Sequence, residues 1–223
     1  MKLLFFTDSR GEHKLSFANR KIFPEKFLDD FECDLFLCPF KWTTTLDFIR
    51  LIEEKKIDIN KYDKIILYTG VVEFSPRNIS NFKECMQDKF VFLKHFLGKY
   101  LDLNCTYGVH YKGEDTKSLI TIEAYQDIVI PYLQNFDEKL ILINTNSIVP
   151  KWDGNYLKVN PLGRPKNINI VSNYSGKTVG KFSRLVNLLE WDFNEVKKYT
   201  VDNMHLTYAG SEFIYKKVRE YIN

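Results

Sequence analysis

Two short segments near opposite ends of the chain carry residues able to act on one another. TDSRG, with Ser9, follows an apolar run, and VDNMH, with Asp202 and His205, precedes the last helical pattern. A serine hydroxyl is a poor nucleophile at neutral pH and needs a base within hydrogen-bond reach. A histidine can serve as that base, while a carboxylate fixes its tautomer and steadies the imidazolium that forms. Asp and His at this spacing can share one side of a turn. The chain therefore offers Ser9 as nucleophile, His205 as general base and Asp202 as its orienting partner. Plainer roles stay open at this point: Ser9 as the cap of a helix starting near Glu12, and Asp202 and His205 as helix-entry residues.

A third segment, YTGVVEFSPRN, ends another apolar run and holds Gly70, Glu73, Arg77 and Asn78. Arg10 and Arg77 would make a pocket at this place cationic, suited to a carboxylate or phosphate on the substrate. Glu73 either does chemistry or pairs with Arg77 or Arg10. Trp42 either lines the pocket as a sugar-stacking face or packs in the core. His13, His95 and His110 are scattered and read as structural.

These segments need a scaffold that brings them together. KLLFFT (2–7), DLFLC (34–38), KIILYT (64–69) and KLILIN (139–144) are continuous apolar runs, the signature of strands covered on both faces. INIVS (168–172) is a weaker fifth candidate. Helical patterns lie between: 43–56 behind a threonine cap, Ser80 to about Leu101, 123–136 with a kink expected at Pro131, 181–191, and 207–221. Strand and helix in alternation predict an α/β protein, a three-layer α/β/α flavodoxin-like fold with a mostly parallel sheet of about five strands. In such sheets reactive groups gather beyond the carboxyl ends of the strands. Two stretches resist the scheme. Residues 104–122 read as a lid or hairpin insertion, and 144–177 as a long basic loop carrying Lys151, Lys158, Arg164, Lys166 and Lys177.

Composition narrows the function classes. The 223 residues, 44% hydrophobic and 15% aromatic, suffice for one core, so the expectation is a single domain over 1–223. A net charge of +3, from 32 basic and 29 acidic residues, gives no basic bias for nucleic acid. No apolar run is long enough for a membrane span, and the N-terminus lacks a signal-peptide pattern, which predicts a cytoplasmic protein. Cys33, Cys38, Cys85 and Cys105 form no CxxC or zinc spacing and read as reduced thiols, so neither metal nor cofactor is expected.

TDSRG near the start, a Gly-containing turn after the third strand and DNMH ahead of the last helix resemble, in order and spacing over nearly the whole chain, the SGNH (GDSL-type) hydrolase superfamily. The resemblance implies hydrolysis, or occasionally transfer, of acyl esters with Ser9, Asp202 and His205 as the triad. Two positions depart from the family pattern. CPFKWTTT holds no glycine where one usually lends an oxyanion N–H, and Gly70-Val71-Val72-Glu73 stands where an asparagine usually donates. Losing one oxyanion donor typically costs about 10²–10³ in rate. The Ser9 N–H, Arg77 and Asn78 are replacement donors. The expectation is an esterase removing an O-acyl, foremost O-acetyl, group from a carbohydrate such as an acidic or phosphorylated glycan. The alternatives are a glycan-binding protein without turnover and an acyl or phosphoryl transferase using the same serine.

Overall fold

The computed structural model describes residues 1–12, 20–101 and 106–222. His13 and Cys105 lie outside them, as does the start of the 104–122 segment. The strands are β1 (Lys2–Thr7), β2 (Glu32–Leu37), β3 (Lys64–Tyr68), β4 (Arg77–Asn78), β5 (His110–Tyr111), β6 (Glu114–Lys117), β7 (Leu140–Ile143) and β8 (Leu185–Val186). The helices that matter below are α1 (Phe23–Lys26), α2 (Thr45–Glu53), α3 (Val71–Phe74), α4 (Ile79–Met86), α5 (Phe90–Leu97), α6 (Ile122–Ala124), α7 (Ile130–Gln134), α8 (Tyr156–Val159), α9 (Ile170–Gly176), α10 (Phe193–Tyr199) and α11 (Tyr208–Ile222).

Five strands form one parallel sheet in the order β2-β1-β3-β7-β8. Successive side chains of a strand point to opposite faces, so each strand feeds two cores. Leu4 and Phe6, with Ile65, Leu67, Leu140 and Leu142, pack against α2, α4, α5 and the helix through Tyr125. Leu3 and Phe5, with Ile66, Tyr68, Ile141 and Ile143, pack against α1, α10 and α11. Helices thus cover both faces, the three-layer arrangement expected from the unbroken apolar runs. α2 begins where its sequence says it should: Thr44 accepts from the Asp47 N–H at 3.1 Å while Asp47 accepts from the Thr44 N–H at 2.9 Å. None of the helices among the described residues is long and apolar enough to cross a membrane.

Several elements differ from the sequence reading. The fifth strand is β8, inside the stretch read as a helix over 181–191, and INIVS instead leads into α9. β8 has only two residues, too few to show a period of two, and Phe182, Leu185 and Val186 fit a helical period equally well. Val171 and Tyr174 of α9 are both buried, a helical spacing that its β-branched composition masks. The helix from Ser80 breaks between α4 and α5, where Lys89 turns inward to meet Asp47 at 2.9 Å. Around Pro131 a π turn (Tyr125–Val129) joins α6 to α7, so the wider register absorbs the missing proline N–H. Residues 110–117 do form a hairpin, turning at Lys112 and Gly113, both at positive φ, and β6 pairs with β4. The long basic segment is partly helical, containing α8 and α9.

Candidate active site

β1 is flanked by β2 on one side and β3 on the other, so the chain leaves β1 at the point where the strand order reverses. Ser9 stands just past that end. The turn that carries it is tightly specified. Asp8 N–H donates to the Tyr68 carbonyl at 2.9 Å, and Gly11 N–H donates to the Asp8 carbonyl at 3.0 Å. A Cβ at Gly11 would stand 2.4 Å from Thr7 Oγ1, so only glycine lets the turn close on β1.

Arg10 does not face the pocket. Its side chain is buried and grips Asp8 through Nε and a terminal nitrogen, both at 2.9 Å, and donates to the Thr69 carbonyl at 2.7 Å. Its guanidinium also lies 4.0 Å from the centre of the Tyr68 ring. The arginine next to the serine therefore clamps the turn instead of contributing charge to the cleft.

His205 arrives from the other end of the chain. Its Nε2 is 3.1 Å from Ser9 Oγ, and its Nδ1 is 2.8 Å from Asp202 Oδ2. The other Asp202 oxygen accepts the N–H groups of Met204 and His205 at 3.1 and 2.8 Å. One carboxylate thus builds the turn and orients the ring. Burial alone would raise the Asp202 carboxyl, but its bonds from His205 and the charge of Arg164 outweigh that and hold it below the ordinary carboxylate range. Asn203 sits at φ +69°, a left-handed conformation that asparagine tolerates, and its Oδ1 accepts the Val149 N–H at 2.8 Å.

Two of these supports were not among the sequence candidates. Asn203 was visible only as part of DNMH. Arg164 was one base among several in a loop, yet it is the one that reaches the carboxylate. It donates to the Asp202 carbonyl at 2.7 Å, stands 3.2 Å from Asp202 Oδ2, and stacks 3.9 Å from the centre of the Tyr156 ring.

Ser9 and His205 open into a cleft of about 310 Å³. Trp42, Arg77 and Asn78 line it as well, together with Val71 and Val72 of the Gly70-Val71-Val72-Glu73 segment. Arg77 lies over Trp42, 4.5 Å from the ring centre. Asn78 spends its Nδ2 on Glu114 at 3.0 Å. Ser9, Val71 and Val72 each carry a backbone N–H with no acceptor among the described residues, so the cleft keeps donors that need no side chain. Gly70 makes the turn into α3 at φ +120°, and a Cβ there would meet the Phe74 ring at 2.8 Å.

Glu73 points away from the cleft. It is fully buried, its Oε1 accepts the Thr45 N–H at 2.8 Å, and its Oε2 has no partner among the described residues. It forms no ion pair with Arg77 or Arg10. Burial pushes its carboxyl up to about 7, against the opposing bonds from Thr45. An acid raised above its unfolded value of roughly 4.3 costs stability as pH climbs through that window, and the cost is complete above the folded value. Glu73→Gln keeps the acceptor for Thr45 and removes the titration. Its melting temperature should exceed that of the parent near pH 8.5, with the gap closing near pH 5; an equal gap at both would refute the assignment.

No family model matches the chain, and no curated protein matches it. Among solved structures it is similar to a lipase/acylhydrolase from Enterococcus faecalis, at 15% identity and a TM-score of 0.51, covering 99% of this chain and 94% of that one. It is also similar to the acetyl xylan esterase AlAXEase, at 12% identity and a TM-score of 0.56, covering 100% of each chain. The chain therefore has the flavodoxin-like α/β/α fold implied by its SGNH resemblance, the architecture on which that acylhydrolase and that esterase are built.

Proposed function

We propose that this protein is a serine-dependent esterase that removes an O-acyl group, foremost O-acetyl, from a carbohydrate. The observation that carries the reading is the continuous chain from Ser9 Oγ through His205 to Asp202, opening into a cleft at the strand-order reversal. Ser9 Oγ attacks the acyl carbonyl as His205 Nε2 takes its proton. The tetrahedral oxyanion forms beside the Ser9 N–H. Collapse breaks the ester bond, and His205 returns the proton to the departing sugar oxygen. Water, deprotonated by the same nitrogen, then releases the acid and restores Ser9. The acetyl xylan esterase likeness supports acetyl as the group and a sugar as the alcohol. The finer reading, an acidic or phosphorylated glycan, draws on the cationic cleft. That Ser9 and His205 come from opposite ends supports treating 1–223 as one domain.

Intact-mass labelling with a fluorophosphonate tests the reading directly. One adduct is expected on the parent protein and none on Ser9→Ala. A folded parent that takes no label would favour a glycan-binding protein without turnover, the role that the valine at the oxyanion slot suits best.

A further inference from the structure

Among the described residues, the cleft is lined by three Lys or Arg side chains, Lys41, Arg77 and Arg164, and by no aspartate or glutamate. Two of the three already have carboxylate partners: Lys41 pairs with Glu84 at the rim and Arg164 with Asp202. Arg77 has no carboxylate within ion-pair distance among the described residues. Its Nε and one terminal nitrogen share a single neutral acceptor, the Val72 carbonyl, at 3.3 and 3.2 Å. The nearby carboxylate of Glu114 is occupied by Ser80 and Asn78 instead. Burial pulls the Arg77 guanidinium below its ordinary range by more than the attraction of neighbouring acidic groups, Glu73 among them, restores. A half-buried guanidinium stacked on an indole and bonded to one carbonyl leaves a planar donor edge for a second partner.

We propose, building on the esterase reading, that Arg77 binds a carboxylate of the substrate, so that the sugar from which the acyl group is removed is a uronic acid. A single uncompensated cation matches a monoanion, and the guanidinium fork matches a carboxylate. A phosphate monoester, close to doubly charged, would call on a second free cation, which the described residues of the cleft do not offer. Tyr111 and Tyr156, which also line the cleft, supply faces for the sugar ring.

Three acetylated probes test this: an O-acetyl methyl glucuronoside, its carboxamide, and an O-acetyl methyl glucoside 6-phosphate. The acid should exceed the carboxamide in kcat/KM by roughly 10- to 100-fold, the range of a charge-assisted pair. Arg77→Ala should erase that ratio and Arg77→Lys keep part of it. Equal rates for acid and carboxamide, a ratio that survives in Arg77→Ala, or a preference for the phosphate would each overturn the proposal. Calorimetric binding of the acid and the carboxamide to Ser9→Ala answers the same question without turnover, tighter binding of the acid supporting it and equal affinity opposing it. If the parent cleaves none of the probes, nor 4-nitrophenyl acetate, the esterase reading fails, while the calorimetry still judges the carboxylate site.

Discussion

His205→Ala is expected to lower kcat for acetyl-ester hydrolysis by roughly 10⁴- to 10⁶-fold, the scale on which a triad base matters. The ring is the only described group placed between Ser9 Oγ and a carboxylate, so no neighbour inherits the proton. The loss should fall on kcat with little change in KM, because the proton moves only in the transition state. The side chain is 32% exposed, so truncating it opens no large internal cavity, and the melting temperature should stay within a few degrees of the parent. Steady-state kinetics beside a thermal melt checks both halves. A loss of less than about tenfold in a folded variant would remove His205 from the role of base.

Arg10→Ala should be the most destabilising change near the site. The Asp8 and Arg10 side chains are each only 1% exposed, and breaking such a pair strands a charge with no water to receive it. Removing one partner of a buried pair costs about 3–5 kcal/mol. For a chain of this length that is a fall in melting temperature of roughly 6–20 °C. Arg10→Lys keeps the charge but not the two-point grip, and should lose less. Denaturant unfolding of both variants checks the order. A near-neutral Arg10→Ala would mean that the Thr7 to Gly11 turn is held by its backbone bonds alone.

How far the sequence could be read follows from where each interaction is made. β1, β3 and β7 were legible because a strand buried on both faces is apolar at nearly every position, a property local to a few residues. β2, a partly exposed edge strand, was legible from its apolar half, Leu35 to Leu37. The α2 cap was legible for the same reason, since Thr44 and Asp47 satisfy one another within a single turn. β8 was not, because two residues hold no period and only the neighbouring β7 makes them a strand. Ser9, Asp202 and His205 stood out by type and order, and the fold places them in contact. Arg10 beside Ser9 looks like a pocket charge in sequence, but its partner is Asp8, two residues earlier, and both are packed under the turn. Arg164 resembled every other base of its loop, because its tie to Asp202 depends on the tertiary path of the segment and leaves no mark in composition.

The segment from 144 to 177 does two jobs with adjacent residues. Tyr156, Arg164, Pro165 and Ile168 form one wall of the cleft, while the same Arg164 holds the carboxylate behind His205. In the proposed esterase, selectivity and turnover would therefore be mechanically linked. Reshaping this wall to admit a different sugar would shift the arginine and loosen the Asp202 turn. Trp42 and Arg77, which also line the cleft, form no hydrogen bond or ion pair with Asp202 or His205 among the described residues. On the esterase reading, they are the residues from which the range of accepted esters would be redesigned with the proton relay left in place.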